Sequence, residues 1–114
     1  MNIDHYSFHD SIILEVREDT SKKTLDFLLE FPLDLENNFF EKRILKFFDF
    51  PTYSTIEIPF SGPPTILEII NHGISTKKIG SGSNEMSITR NKIEMLTNAG
   101  NRIIEFTKCE LLKH

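Results

Sequence analysis

A chain of 114 residues is long enough for one hydrophobic core and too short for two, so we predict a single globular domain over residues 1–114. Apolar residues make up 39% of the sequence and charged residues 26%, a composition that excludes a disordered chain. The lone Cys109 excludes an internal disulfide, and because the first residues lack a signal-peptide pattern we expect a cytoplasmic protein.

The formal net charge of -4 is unevenly distributed along the chain. Residues 1–41 carry ten acids and three bases (-7), whereas residues 42–114 carry seven acids and ten bases (+3). Nucleic acid and anionic membranes are bound by clustered Lys and Arg, so we expect neither as a partner. The acidic first third would suit a basic partner protein. Alternatively, these acids are only the solvated faces of the early strands.

Two segments near the start alternate apolar and polar residues, which is the pattern of a half-buried β-strand. In SIILEVRE (residues 11–18), Leu14 falls on the predicted apolar face. In TLDFLLEF (residues 24–31), Phe27 and Leu29 do so. We predict that these three side chains are buried. The polar link EDTSKK predicts that the two strands form an antiparallel hairpin.

The middle of the chain is interrupted by prolines. Pro32 is predicted to end the second strand or to lie at its edge, and LDLENNFFEK is predicted to form a loop or one helical turn. RILKFFDF and STIEIPF are predicted strands, with bends or edges at Pro51 and Pro59. Residues 61–73 leave helix and strand open, although their Thr and Ile content favours a strand.

In the last third, STKKIGSGSNE is rich in Gly and Ser and is predicted to be a surface loop. KIEML and RIIEFTK alternate again, and Gly100 between them suits a hairpin turn, so we predict that they pair and that Ile104 and Phe106 are buried. The predicted fold is mainly β, with six to seven antiparallel strands, at most one or two short helices, and a curled sheet in barrel-like or sandwich form.

The candidate metal or acid-base groups are Asp4, His5, His9 and Asp10, which lie within seven residues. In an extended segment His5 and His9 would be about 13 Å apart, taking roughly 3.3 Å per residue. The favoured interpretation is therefore structural: Asp10 or Ser11 caps a turn with its side chain, and His9 packs at the rim of the sheet. We predict no metal, no cofactor and no catalytic residue.

FHDSIILEV, followed by a second predicted strand and by ILKFFDF, resembles the first half of several small bacterial families of uncharacterised or immunity-type proteins. In these families a His-Asp-small-residue triplet enters the first strand of a β-rich domain. The resemblance implies a stand-alone cytoplasmic protein that in some cases neutralises a cognate toxin by binding over its active surface. Such binding needs no catalytic residues.

We therefore expect a non-catalytic binding protein, an immunity protein for a basic toxin, with Glu15, Asp26 and Glu30 as its acidic binding surface. Two alternatives stay open. One is a β-barrel whose Phe-lined interior holds a small apolar ligand, and the other is a metal-dependent enzyme built on the N-terminal His and Asp residues. The oligomeric state is left open by the sequence.

Overall fold

The computed structural model describes residues 3–49, 52–57 and 62–114, in which the chain is mainly β-sheet. The strands are β1 (Ile12–Asp19), β2 (Thr24–Asp34), β3 (Phe39–Phe48), β4 (Thr52–Glu57), β5 (Ile66–Ile79), β6 (Met86–Thr97), β7 (Gly100–Phe106) and β8 (Lys108–Lys113). Single 3-10 turns lie at Ile3–His5 and Gly82–Asn84. The mainly β prediction is confirmed. Only Thr107 separates β7 from β8, so counting them as one strand that changes sheet gives seven.

The strands form two four-stranded antiparallel sheets. Sheet A has the order β1-β2-β3-β8, and sheet B has the order β4-β7-β6-β5. The two predicted hairpins are confirmed, since β1 pairs with β2 and β6 pairs with β7. In the described part of the chain the sheets pack as an open sandwich and do not close into a barrel.

The core lies between the two sheets. Phe27 and Phe47 of sheet A meet edge to face at 5.8 Å, and Phe47 meets Phe106 of sheet B at 4.8 Å. The predicted burial of Phe27, Leu29, Ile104 and Phe106 is confirmed. Cys109 is buried in the same cluster, and this burial raises the pKa of its thiol above the ordinary value.

The predicted burial of Leu14 is wrong, because its side chain is 40% exposed. The register of β1 against β2 shifts between Ile13 and Glu15, which is a β-bulge at Leu14. Ile13 is buried before the bulge, and Val16 packs against the core after it. Because the bulge inserts one extra residue, the side chains that face the core are three positions apart instead of two.

Pro32 lies inside β2, which continues to Asp34, so the strand does not end at the proline. β1 pairs with β2 only as far as Glu30, so Pro32 lies where β2 has β3 alone beside it. A proline, which lacks an N–H, is tolerated at such an edge. Of the segment LDLENNFFEK, only residues 35–38 form a turn, because β3 already begins at Phe39.

Residues 66–73 are strand, as favoured, and belong to a long β5 that runs on to Ile79. The prediction of a surface loop over STKKIGSGSNE is therefore wrong for residues 75–79, which pair with β6 up to Ile79 and Met86, and right for residues 80–85. Residues 75–79 of β5 and residues 86–90 of β6 pair with each other and bury neither side in the core. The sequence of residues 75–79 therefore lacks the apolar-polar alternation by which a half-buried strand is predicted. The predicted bends at Pro51 and Pro59 lie outside the described residues.

Candidate functional site

The N-terminal segment is anchored to the end of the sandwich by buried apolar side chains. Ile3 and Phe8 are buried, and the Phe8 ring meets Phe31 of β2 edge to face at 5.7 Å. Tyr6 extends this aromatic group at 6.5 Å from Phe31 while its own side chain stays exposed. Residues 3–9 therefore pack across the end of the two sheets, beside the start of β5, and we call them the wall.

His9 and Asp10 form a structural turn. The Ser11 N–H donates to the Phe8 carbonyl at 3.0 Å, and Asp10 has φ of 69°, a left-handed conformation that Asp tolerates. The Asp10 N–H donates to the Ile66 carbonyl at 2.8 Å, and His9 Nδ1 donates to the Leu67 carbonyl at 2.7 Å. Main-chain atoms close this turn, so the predicted side-chain cap is wrong: within the described residues Ser11 Oγ is buried without a hydrogen-bond partner, and Asp10 Oδ2 lies 3.6 Å from His9 Nε2. His9 lies at the rim of sheet B.

Asp4 and His5 lie in the single 3-10 turn before it, and both are exposed. The segment is turned and not extended, which corrects the spacing argument used for the two histidines. Asp4 accepts a hydrogen bond from Asn71 Nδ2 at 3.0 Å, which ties the turn to β5. Across the described residues, no group of three or more His, Cys, Asp or Glu side chains is arranged to hold a metal ion.

Two adjoining surface grooves open on either side of His9, and together we call them the acidic groove. The first encloses about 210 Å³ and the second about 410 Å³, and Ser7 and His9 line both. The first is lined by Ile3, Asp4, Tyr6, Ser7, Phe8, His9, Leu67, Glu68 and Ile69, and the second by Ser7, His9, Pro32, Leu33, Asp34, Leu35 and Glu36.

The lining combines negative charge with exposed apolar side chains. Four acids line it, namely Asp4, Asp34, Glu36 and Glu68. No Lys or Arg is among the described residues of the lining. Leu33 and Leu35 are 47% and 53% exposed, and Tyr6 and Leu67 are exposed beside them. Exposed apolar side chains framed by polar groups are typical of a protein-binding surface.

Asp34 is held as an anion by the turn that it begins. Asn37 donates to it twice, from the side chain to Oδ2 at 2.6 Å and from the backbone N–H to Oδ1 at 3.3 Å. These hydrogen bonds lower the pKa of Asp34 below the ordinary value, and the side-chain bond from Asn37 has the larger effect. The turn also fixes the backbone that carries Leu33 and Leu35.

A cation lies near the groove but is already paired. Arg43 stacks over the Phe31 ring with its guanidinium carbon 5.9 Å from the centroid. Arg43 Nε donates to Glu41 Oε2 at 2.6 Å, and the Arg43 side chain is largely buried. The Arg43 guanidinium is thus committed to Glu41 and to the Phe31 ring.

The predicted acidic surface of Glu15, Asp26 and Glu30 lies on the outer face of sheet A. Arg17 pairs with Glu15 at 3.0 Å, Lys46 pairs with Asp26 at 3.7 Å, and Glu30 lies opposite Lys42 in the register of β2 and β3. A depression of about 70 Å³ on this face is lined by Glu15, Arg17, Asp26, Leu28, Ile44 and His114. Bases on neighbouring strands thus offset the acids on this face.

Sequence reasoning missed Leu33, Leu35, Glu36 and Glu68 as candidate binding residues. The first three belong to LDLENNFFEK, whose lack of periodicity suggested only a loop. The signal that could have found them is the pair of leucines that alternate with acids beside a turn. Apolar side chains near a solvated turn are exposed, and exposed apolar side chains often mark a binding surface.

Comparison with protein-family models gives no match, and comparison with curated proteins gives none either. In the described residues, no helix is long and apolar enough to span a membrane.

Proposed function

We propose that this chain is a non-catalytic binding protein whose acidic groove takes up a basic, partly apolar segment of a partner protein. The observation that carries the proposal is the groove lining, where four acids and no Lys or Arg frame exposed Tyr6, Leu33, Leu35 and Leu67. Apolar side chains in a desolvated centre supply affinity, and surrounding charges steer the encounter and fix the orientation.

The resemblance of FHDSIILEV to immunity-type families suggests what the partner is. An immunity protein covers the active surface of its toxin, and a toxin with a basic active surface would match the charge of this groove. In this proposal the His9-Asp10 turn has a definite role. It holds the wall between the two halves of the groove through the contact of His9 with Leu67.

The groove is a better binding surface than the outer face of sheet A, on which Glu15, Asp26 and Glu30 lie. On that face Arg17 and Lys46 contact two of the acids, so a basic partner would have to displace existing ion pairs. Exposed ion pairs are individually weak, yet they reduce the net field that attracts a cation.

The two alternative functions find less support in the geometry. A ligand-binding barrel needs a closed sheet, whereas the sheets of the described residues are open and pack their Phe side chains into a core. A metal-dependent enzyme needs converging ligands, whereas Asp4 and His9 make hydrogen bonds to β5.

The test is a titration with a synthetic peptide in which Lys alternates with Ile. Fluorescence anisotropy of the labelled peptide measures its binding. The groove variant Glu36→Gln with Glu68→Gln removes two charges without changing side-chain shape. Its matched control, Glu15→Gln with Glu18→Gln, removes two exposed charges from β1. We expect the groove variant to weaken binding about tenfold and the control to change it less than about twofold.

Equal weakening by both variants would mean that the peptide responds only to net charge, and the proposal would fail. Stronger weakening by the β1 variant would instead favour the outer face of sheet A. A peptide in which Glu alternates with Ile should not bind measurably, and this comparison separates charge recognition from apolar contact alone.

A further inference from the structure

A two-stranded arm extends from sheet B beyond its neighbouring strands. β6 pairs with β7 only from Asn91 onward, and Asn91 also pairs with Ile74 of β5. Residues 86–90 of β6 and residues 75–79 of β5 therefore pair with each other beyond the point where the described pairing to β7 ends. We call residues 75–90 the arm. The described chain is 59 Å along its longest axis and 30 and 26 Å across.

The arm is basic and has an apolar tip. Residues 75–90 carry three bases and one acid (+2). Arg90 pairs with Asp49 at 3.1 Å and Lys77 with Glu105 at 3.2 Å, so Lys78 is the base that the arm offers to a partner. Ile79 and Met86 lie opposite each other in the last pair before the turn and are 53% and 64% exposed. Lys78 beside them is exposed, and its only described ion pair is with Glu85 on the arm itself, at 3.6 Å.

The arm and the acidic groove are complementary in charge and in apolar character. They also lie far apart on the same strand, because Leu67, Glu68 and Ile69 line the groove whereas Ile79 ends the arm. The ten residues from Ile69 to Ile79 span about 30 Å at ~3.3 Å per residue. The arm of one molecule therefore cannot reach its own groove.

We infer that the arm of one molecule docks in the acidic groove of a second molecule of the same chain. The inference rests on the proposed function in taking the groove as a binding surface for basic, apolar segments. Two molecules arranged antiparallel bring each arm tip to the groove of the other, so both contacts form at once and the dimer is closed.

Direct pairing of two arms edge to edge fits the charges less well. The exposed edge of β5 carries Lys77 and Lys78, and lysines on an edge strand discourage pairing with another strand. In the arm-to-groove arrangement the Lys78 ammonium approaches the four acids of the groove instead, whereas Lys77 keeps its ion pair with Glu105. The charge pattern thus selects the docking surface.

The test is the dimer dissociation constant from sedimentation velocity at low ionic strength. Lys78→Glu and Glu68→Lys should each weaken association about tenfold, and the chain that carries both changes should recover it, because the interacting charges are exchanged. Lys77 is left intact because it pairs with the buried Glu105 at 3.2 Å. Lys113→Glu, an exposed reversal on β8, is the matched control and should leave association unchanged.

Circular dichroism of each variant checks that the fold is kept. Lys78→Glu mixed with Glu68→Lys offers a second readout, since in the mixed dimer one arm-to-groove contact keeps its charges and the other has them exchanged, so both are attractive. A wild-type chain that stays monomeric over its soluble concentration range overturns the inference, as does a double reversal that fails to recover association. Binding of the Lys-Ile peptide by a monomeric wild type would sink the dimer and leave the proposed function standing. If the wild type forms charge-dependent dimers but the Lys78→Glu chain, whose groove is intact and left open, binds no peptide, the dimer would stand and the proposed function would fail.

Discussion

His9 Nδ1 lies 2.7 Å from the carbonyl oxygen of Leu67, a contact that joins residues 58 positions apart in the sequence. Because a carbonyl only accepts, the Nδ1 proton is committed to this bond. We predict that His9→Ala lowers the free energy of unfolding by about 0.5 to 1.5 kcal/mol, the usual range for one hydrogen bond. Urea denaturation of the two proteins measures the difference.

A metal-binding role for His9 makes a different prediction for the same variant. We expect zinc or manganese to leave the melting temperature of the wild type unchanged. A metal bound only by the folded chain would add about 2.7 kcal/mol at a hundredfold excess over Kd. A gain of that kind, lost in the double variant His5→Ala with His9→Ala, would contradict the structural role.

The bulge at Leu14 predicts that two neighbouring residues respond oppositely to truncation. Ile13 is buried and Leu14 is exposed, so Ile13→Ala should cost about 2 to 4 kcal/mol of unfolding free energy and Leu14→Ala less than about 1 kcal/mol. Thermal and urea denaturation check both values. If Leu14→Ala proved the more costly change, the regular alternation would hold and the bulge would be wrong.

Phe27 tests the core between the sheets. Its ring is fully buried against Phe47, so Phe27→Ala should cost about 3 to 5 kcal/mol through lost burial and an unfilled cavity. Phe39→Ala is the matched control, because Phe39 is 59% exposed and should change stability by about 0.5 kcal/mol or less. Similar losses in the two variants would place Phe27 outside the core.

The carboxyl of Asp34 predicts a pH-dependent signal from the groove. Asn37→Ala removes the larger of the effects that lower its pKa, so the pKa of Asp34 should rise towards the ordinary value in an NMR titration. Asp19 is an internal control, because its lowered pKa depends on Lys22 and Ser21 and should not move. An unchanged Asp34 titration in the variant would show that the Asn37 contacts are absent in solution.

The sign of the linked stability change follows from the direction of the shift. A carboxyl whose pKa is lower in the folded chain adds stability above the unfolded pKa, and that stability is lost as the pH falls through the folded pKa. The wild type should therefore lose more stability on acidification than Asn37→Ala. Asp34 is exposed, so the difference should be small.

Much of the fold could be predicted from the sequence because its hairpins are local. EDTSKK and TNAGN are polar turns between alternating segments, and these two signals together specify both partners of a pair. Leu14 was assigned wrongly because a bulge inserts one residue into the alternation without changing the composition. The loop prediction fails at residues 75–79 because this part of β5 has no buried residue that would mark a core-facing side.

The candidate site was harder to predict than the fold because its parts are distant in sequence. Leu35, Glu68 and Tyr6 meet only when β2, β5 and the N-terminal segment reach one end of the sandwich. Among the possible metal ligands at the start of the chain, Asp4, His9 and Asp10 instead form hydrogen bonds to β5 beside the groove. Charge along the chain predicts an acid-rich first third, but it does not say which of those acids meet at one groove, because that depends on how the strands pack.

The most direct test of the acidic groove is an NMR titration of the wild-type chain with the Lys-Ile peptide, followed through backbone amide shifts. Perturbations should concentrate at residues 6–9, 33–36 and 67–69, which are joined only by the folded groove. Perturbations centred on residues 15–17 and 26–28 of sheet A, or spread evenly over the surface, would contradict the groove as the binding site.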